Sequence, residues 1–122
     1  ESYAFQGKHE KVDYRYPTYL PPGYRLINRE EYTNTLMLQY EDNNENFLLL
    51  TEDQVMGSVM SICIDTEDAE IVETLTIGDM EGMYVYKNGS SSLLFHDDEL
   101  SIYLFGQKID KEEIMKIANG LV

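Results

Sequence analysis

Asn88-Gly89 sits between "MEGMYVYK" and "SSSLLFH", two runs in which apolar and polar residues alternate. Asn and Gly tolerate the positive φ that a two-residue hairpin turn demands, so this stretch reads as two antiparallel strands. The same grammar recurs along the chain. Gly78-Asp79 joins "EIVETLTI" to "MEGMYVYK", Asp97-Asp98 sits inside "HDDELSIYLFG", and Asn43-Asn44 joins "TNTLMLQYED" to "ENFLLLTED". With "GYRLINREEY" before them, these runs predict an antiparallel meander of about six to seven strands.

The expected registers follow from the turns. Around Asn43-Asn44, Tyr40 should oppose Phe47 and Leu38 should oppose Leu49. Around Asp97-Asp98, Phe95 should oppose Leu100, Leu93 should oppose Ile102, Ser91 should oppose Leu104, and His96 should face Glu99. A four-residue loop there keeps the same faces, because side chains alternate with period two. The chain then ends differently. Asp110 with Glu113 three residues on spells a capping box, and Ile114, Ile117, Ala118 and Leu121 repeat at helical spacing. The expected class is therefore α+β: a curved antiparallel sheet with a C-terminal amphipathic helix packed on one face.

The remaining segments carry weaker patterns. Residues 1–16 read as a tail or linker in which Val12, Tyr14 and Tyr16 allow a first strand, and residues 17–122 read as one domain. Pro17, Pro21 and Pro22 make a rigid extended lead-in, and Gly23 permits a turn into the first strand of the sheet. Between residues 53 and 70, Met56, Met60 and Ile62 follow neither period, which suggests a loop leading to a short strand at 60–64.

Charge excludes whole classes of partner. With 23 acidic against 9 basic residues, the net charge of −14 repels phosphate backbones and anionic headgroups. Nucleic acid and membrane surfaces are not expected partners, and no apolar run is long enough to span a bilayer. The single cysteine, Cys63, lies in an apolar stretch and reads as a small buried hydrophobe.

Catalytic constellations are scarce. The chain has two histidines, His9 in the tail and His96 among acids, and Ser90, Ser91 and Ser92 follow a hairpin turn without an oxyanion loop. Phosphate-binding loops and zinc spacings do not occur. "EDNNEN" at 41–46 and "DTEDAE" at 65–70 are acidic enough for calcium, but neither has the glycine that turns an EF-hand loop, so both read as solvated turns. His96 with Glu99 would supply two ligands, too few for a selective metal site. No catalytic, cofactor-binding or metal residue is therefore assigned, and no cofactor is expected.

One resemblance spans residues 17–122. The lead-in Tyr19, Leu20, Pro21, Gly23, Tyr24, the "DTEDAE" leader, Gly82 and Tyr84 after the turn, the "LLF" strand and "KEEIMKIA" together resemble a domain-of-unknown-function family of Gram-positive bacteria. That family often carries a tryptophan where Phe95 stands here, a change of volume that a core absorbs. Its members are typically the C-terminal, outward-facing part of membrane-anchored proteins, some of them anti-sigma-factor-like. The resemblance implies an extracytoplasmic domain tethered through an N-terminal span, and the chain's start at Glu1 fits a trimmed piece of such a parent. The expectation is a non-enzymatic sensory or interaction module that meets an envelope protein or ligand. The alternative is a carrier for a small apolar or peptide ligand held between sheet and helix.

Overall fold

The computed structural model describes residues 12–55 and 66–122. Among the described residues, seven strands and one helix follow in order: β1 (Arg25–Glu31), β2 (Thr35–Glu41), β3 (Phe47–Gln54), β4 (Ile71–Ile77), β5 (Met80–Lys87), β6 (Ser90–His96), β7 (Leu100–Gln107) and α1 (Lys111–Asn119). The expected short strand at 60–64, Met56, Cys63 and His9 lie outside the described residues.

All strands pair antiparallel in one open sheet of order β1-β2-β3-β7-β6-β5-β4. Consecutive pairing therefore holds within two meanders, and β3 pairs with β7 instead of β4. Polarity accounts for this order. β7 buries Leu100, Ser101, Ile102, Leu104 and Gly106 and is inserted between two neighbours, while β1 and β4, exposed along most of their lengths, take the edges.

Turn chemistry set two hairpins as expected: Ile77 pairs with Met80 around Gly78-Asp79, and Lys87 with Ser90 around Asn88-Gly89. Both Asn88 and Gly89 have positive φ, the requirement of that turn. The other two registers differ from expectation. Tyr40 pairs with Leu48 and Leu38 with Leu50, one residue away from the expected partners. Asp42 is the cause: its Oδ1 accepts the N–H groups of Asn44 and Asn46, both at 2.9 Å, and closes a longer loop in which Glu45 turns left-handed. The slip places Leu48 and Leu50 inside with Leu36, Leu38 and Tyr40, and leaves Phe47 and Leu49 half-buried on the opposite face.

At the second hairpin Phe95 pairs with Ile102, Leu93 with Leu104, Ser91 with Gly106 and His96 with Ser101. This is two residues from the expected register, so every side chain keeps its face. Asp97 again explains the shift, because its Oδ1 accepts from Glu99 N–H at 2.7 Å and Leu100 N–H at 2.8 Å.

The helix lies where its pattern requires. Asp110 Oδ1 accepts from Glu113 N–H at 3.0 Å, and Ile114, Ile117 and Ala118 are buried over β6 and β7. The carboxylate of Glu113, expected to close a reciprocal capping box, bonds Tyr19 and Lys116 instead. Asp110→Ala should therefore cost about 1 kcal/mol in urea denaturation; a much larger loss would reveal a further partner of Asp110.

Candidate functional site

The helix covers only part of the core face of the sheet. Over β3 that face is closed by the chain's own lead-in. Here Glu52 and Gln54 extend the buried alternation of Leu48 and Leu50, so period two carries two polar side chains into the interior. A buried polar group must find partners, and the backbone of residues 12–15 provides them. Gln54 Oε1 accepts from Val12 N–H at 3.0 Å and its Nε2 donates to Val12 C=O at 2.9 Å. Glu52 Oε1 accepts from Arg15 N–H at 2.7 Å.

From there the segment meets the C-terminus. Tyr16 N–H donates to Val122 C=O at 2.9 Å, Val122 N–H returns to Tyr16 C=O at 3.0 Å, and Thr18 N–H reaches Gly120 C=O at 2.9 Å. Tyr19 OH donates to Glu113 Oε1 at 2.7 Å, and the Lys116 ammonium lies 5.8 Å from the Tyr19 ring centre. Residues 12–19 thus form a strap, with Val12, Tyr14 and Tyr19 packed on the core. After the strap, Gly23 has φ of 89° and brings Tyr24 N–H back to Pro21 C=O at 3.4 Å, the turn its position had suggested.

Glu52 is fully buried, and its Oε2 has no hydrogen-bond partner. Burial pushes its carboxyl up to about 7, against the lowering effects of the Arg15 N–H and the Arg15 charge. Tyr40 is also pushed up, first by burial and then by the neighbouring Glu52 and Tyr16. Sealed from solvent, Glu52 holds the strap through the Arg15 N–H. Next to the strap, Val12, Asp13, Tyr14, Tyr16 and Glu31 line an open cleft of about 510 Å³. Asp13 and Glu31 bring carboxylates to it, that of Glu31 paired with the Arg29 guanidinium at 2.9 Å.

The residues weighed from sequence fall elsewhere. His96 is exposed at the hairpin end, and its acidic cross-strand neighbour is Glu81 on β5, not Glu99. Ser91 is buried, donates to Ile109 C=O at 2.6 Å and meets Tyr84 OH at 2.8 Å, so it ties helix lead-in to sheet. In "EDNNEN", Asp42 turns both carboxylate oxygens to its own loop. In the acidic leader at 66–70, Glu70 Oε1 accepts from Asn88 N–H at 3.2 Å. Among the described residues, no three His, Cys, Asp or Glu side chains are grouped to hold a metal.

At the seam where a carried ligand would lie, buried apolar side chains of helix and sheet meet. Ile114, Ile117 and Ala118 join Leu93, Phe95, Ile102 and Leu104 in one packed cluster. Gly82 belongs to the same packing, since a Cβ there would stand 2.8 Å from Phe95 Cβ and 2.9 Å from Leu94 C=O. No helix among the described residues is long and apolar enough to cross a membrane.

The model of a family described as a domain of unknown function (DUF4367) matches residues 15–121. The match begins inside the strap and ends on Leu121, which bridges to Pro17. No curated protein matches the chain.

Proposed function

The chain belongs to this DUF4367 family of domains of unknown function, and we propose that it is a non-enzymatic sensory or protein-interaction module, extracytoplasmic, in a membrane-anchored envelope protein of anti-sigma-factor-like context. The observation that carries the reading is the strap. The chain enters the domain across its core face, held by Gln54, Glu52 and the C-terminal residues. A parent polypeptide arriving at that end would be mechanically continuous with the core, so a partner that binds the sheet and a displacement of the tether would be coupled.

The non-enzymatic part is supported by the acids themselves. Glu52 is out of reach of solvent, and Asp42 and Asp97 are engaged by their own loops. The apolar cluster between helix and sheet, among the described residues, lends no support to a carrier. External protease applied to protoplasts that express the parent protein tests the location. Digestion of this domain with the membrane intact is expected, and protection until lysis would overturn the assignment. Turnover of an envelope polymer by the isolated domain, abolished by one carboxylate substitution, would overturn the non-enzymatic reading.

A further inference from the structure

The two edges of the sheet are not equivalent. β1 is broken by a bulge between Leu26 and Asn28 and carries Arg25, Arg29, Glu30 and Glu31, the usual defences of an exposed edge. β4, "IVETLTI", pairs with β5 in unbroken register from Ile71 to Ile77 and has one charge, Glu73, which is held by Lys111. Ile71 and Val72 are 40% and 50% exposed. Among the described residues no strand covers this edge, which leaves it open to a further strand.

Hairpin geometry says which backbone groups are offered. A two-residue turn at Gly78-Asp79 makes Ile77 and Met80 a hydrogen-bonded pair, so Ile71, Glu73, Leu75 and Ile77 direct their N–H and C=O groups to β5. Val72, Thr74 and Thr76 then direct theirs outward. No hydrogen bond among the described residues reaches these outward groups.

Charge selects the occupant. The edge is flanked at its start by exposed Glu67, Asp68 and Glu70, and at its end by exposed Asp79 and Glu81, on a chain of net charge −14. An antiparallel second copy would bring these acidic ends against each other. We infer that β4 is a docking edge for an extended segment of a partner protein, a strand of alternating β-branched residues with Lys or Arg at both ends, which adds antiparallel to Val72, Thr74 and Thr76. This rests on the reading of the domain as an interaction module and names the surface it uses.

The probe is the fluorescein-labelled peptide Lys-Arg-Val-Thr-Ile-Thr-Val-Arg-Lys, titrated with the 122-residue chain at low ionic strength. Binding is expected, with slowed hydrogen exchange at the amides of Val72, Thr74 and Thr76, and with affinity falling as salt rises. A peptide of equal charge with proline at its central position should not bind. Thr74→Pro removes an outward N–H without touching the β5 ladder, and should weaken binding by at least about tenfold while leaving the circular dichroism unchanged. Thr74→Lys, which keeps the backbone and repels the peptide, should weaken it too.

Equal affinity of wild type and both variants, or exchange protection confined to other strands, would show a polycation on an acidic surface and overturn the inference. A dimer of the free chain that Thr74→Pro dissociates would assign the edge to a second copy and overturn the stated occupant. Absence of peptide binding overturns the edge alone, because the protoplast experiment reads location and not partner.

Discussion

Replacing Ile117 by aspartate is expected to leave the domain unfolded at neutral pH. Ile117 is 1% exposed and belongs to the cluster that joins the helix to β6 and β7. The substitution removes a buried apolar side chain and sets a carboxylate against Leu93, Phe95 and Leu104 with no cation in that cluster. The lost burial alone costs about 2–5 kcal/mol, and the unpaired buried charge adds more. A domain of this size has a total stability of only about 5–15 kcal/mol, so little or none remains. Far-ultraviolet circular dichroism with thermal melting reads the outcome, and an unchanged melting temperature would overturn the placement of the helix.

Glu52→Gln is expected to stabilise the protein at pH 8 and to do almost nothing at pH 4.5. Burial raises the folded carboxyl from 4.5 to about 7, so the folded state prefers the protonated form. The stability associated with that proton is present below pH 4.5 and is lost as pH rises through 7, where the carboxylate must be carried buried beside Arg15 and Tyr40. The shift corresponds to about 3 kcal/mol above pH 7. Glutamine keeps an oxygen for the Arg15 N–H, has the same shape and never ionises. Urea denaturation of both proteins between pH 4.5 and 8 should show a gap that opens with pH. A constant gap would show that Glu52 does not titrate in that range.

The two slipped registers show where sequence reading stops. Counting turn residues placed Phe47 opposite Tyr40, but Asp42 closes a longer loop because its carboxylate satisfies the N–H groups of Asn44 and Asn46. The gain is that Leu48 and Leu50 enter the core. At Asp97 the same device moved the pairing by two residues, and parity protected every assignment of face. A loop of either length is compatible with the letters, and side-chain hydrogen bonds to the backbone select between them.

The strap is held by residues far apart in the chain. Glu52 and Gln54 continue the period of Leu48 and Leu50, so their inward position was legible in principle. A glutamate in that place reads as exposed unless its partner is known, and the partner is the backbone of Arg15, thirty-seven residues away. Backbone groups carry no sequence signature.

By itself, the sequence determined the strands, the two glycine hairpins and the capped helix, because turn residues, period and caps are local and each acts within a few positions. It also made anionic partners unexpected, since net charge is a sum that needs no fold. Only the tertiary structure decided that β7 lies between β3 and β6, that residues 12–19 close the core face, and that Glu52 is sealed beneath them. It likewise decided that β4 is an edge of the sheet among the described residues. These are choices among distant pairings, and they are settled by which surfaces can be buried together rather than by any residue's own preference.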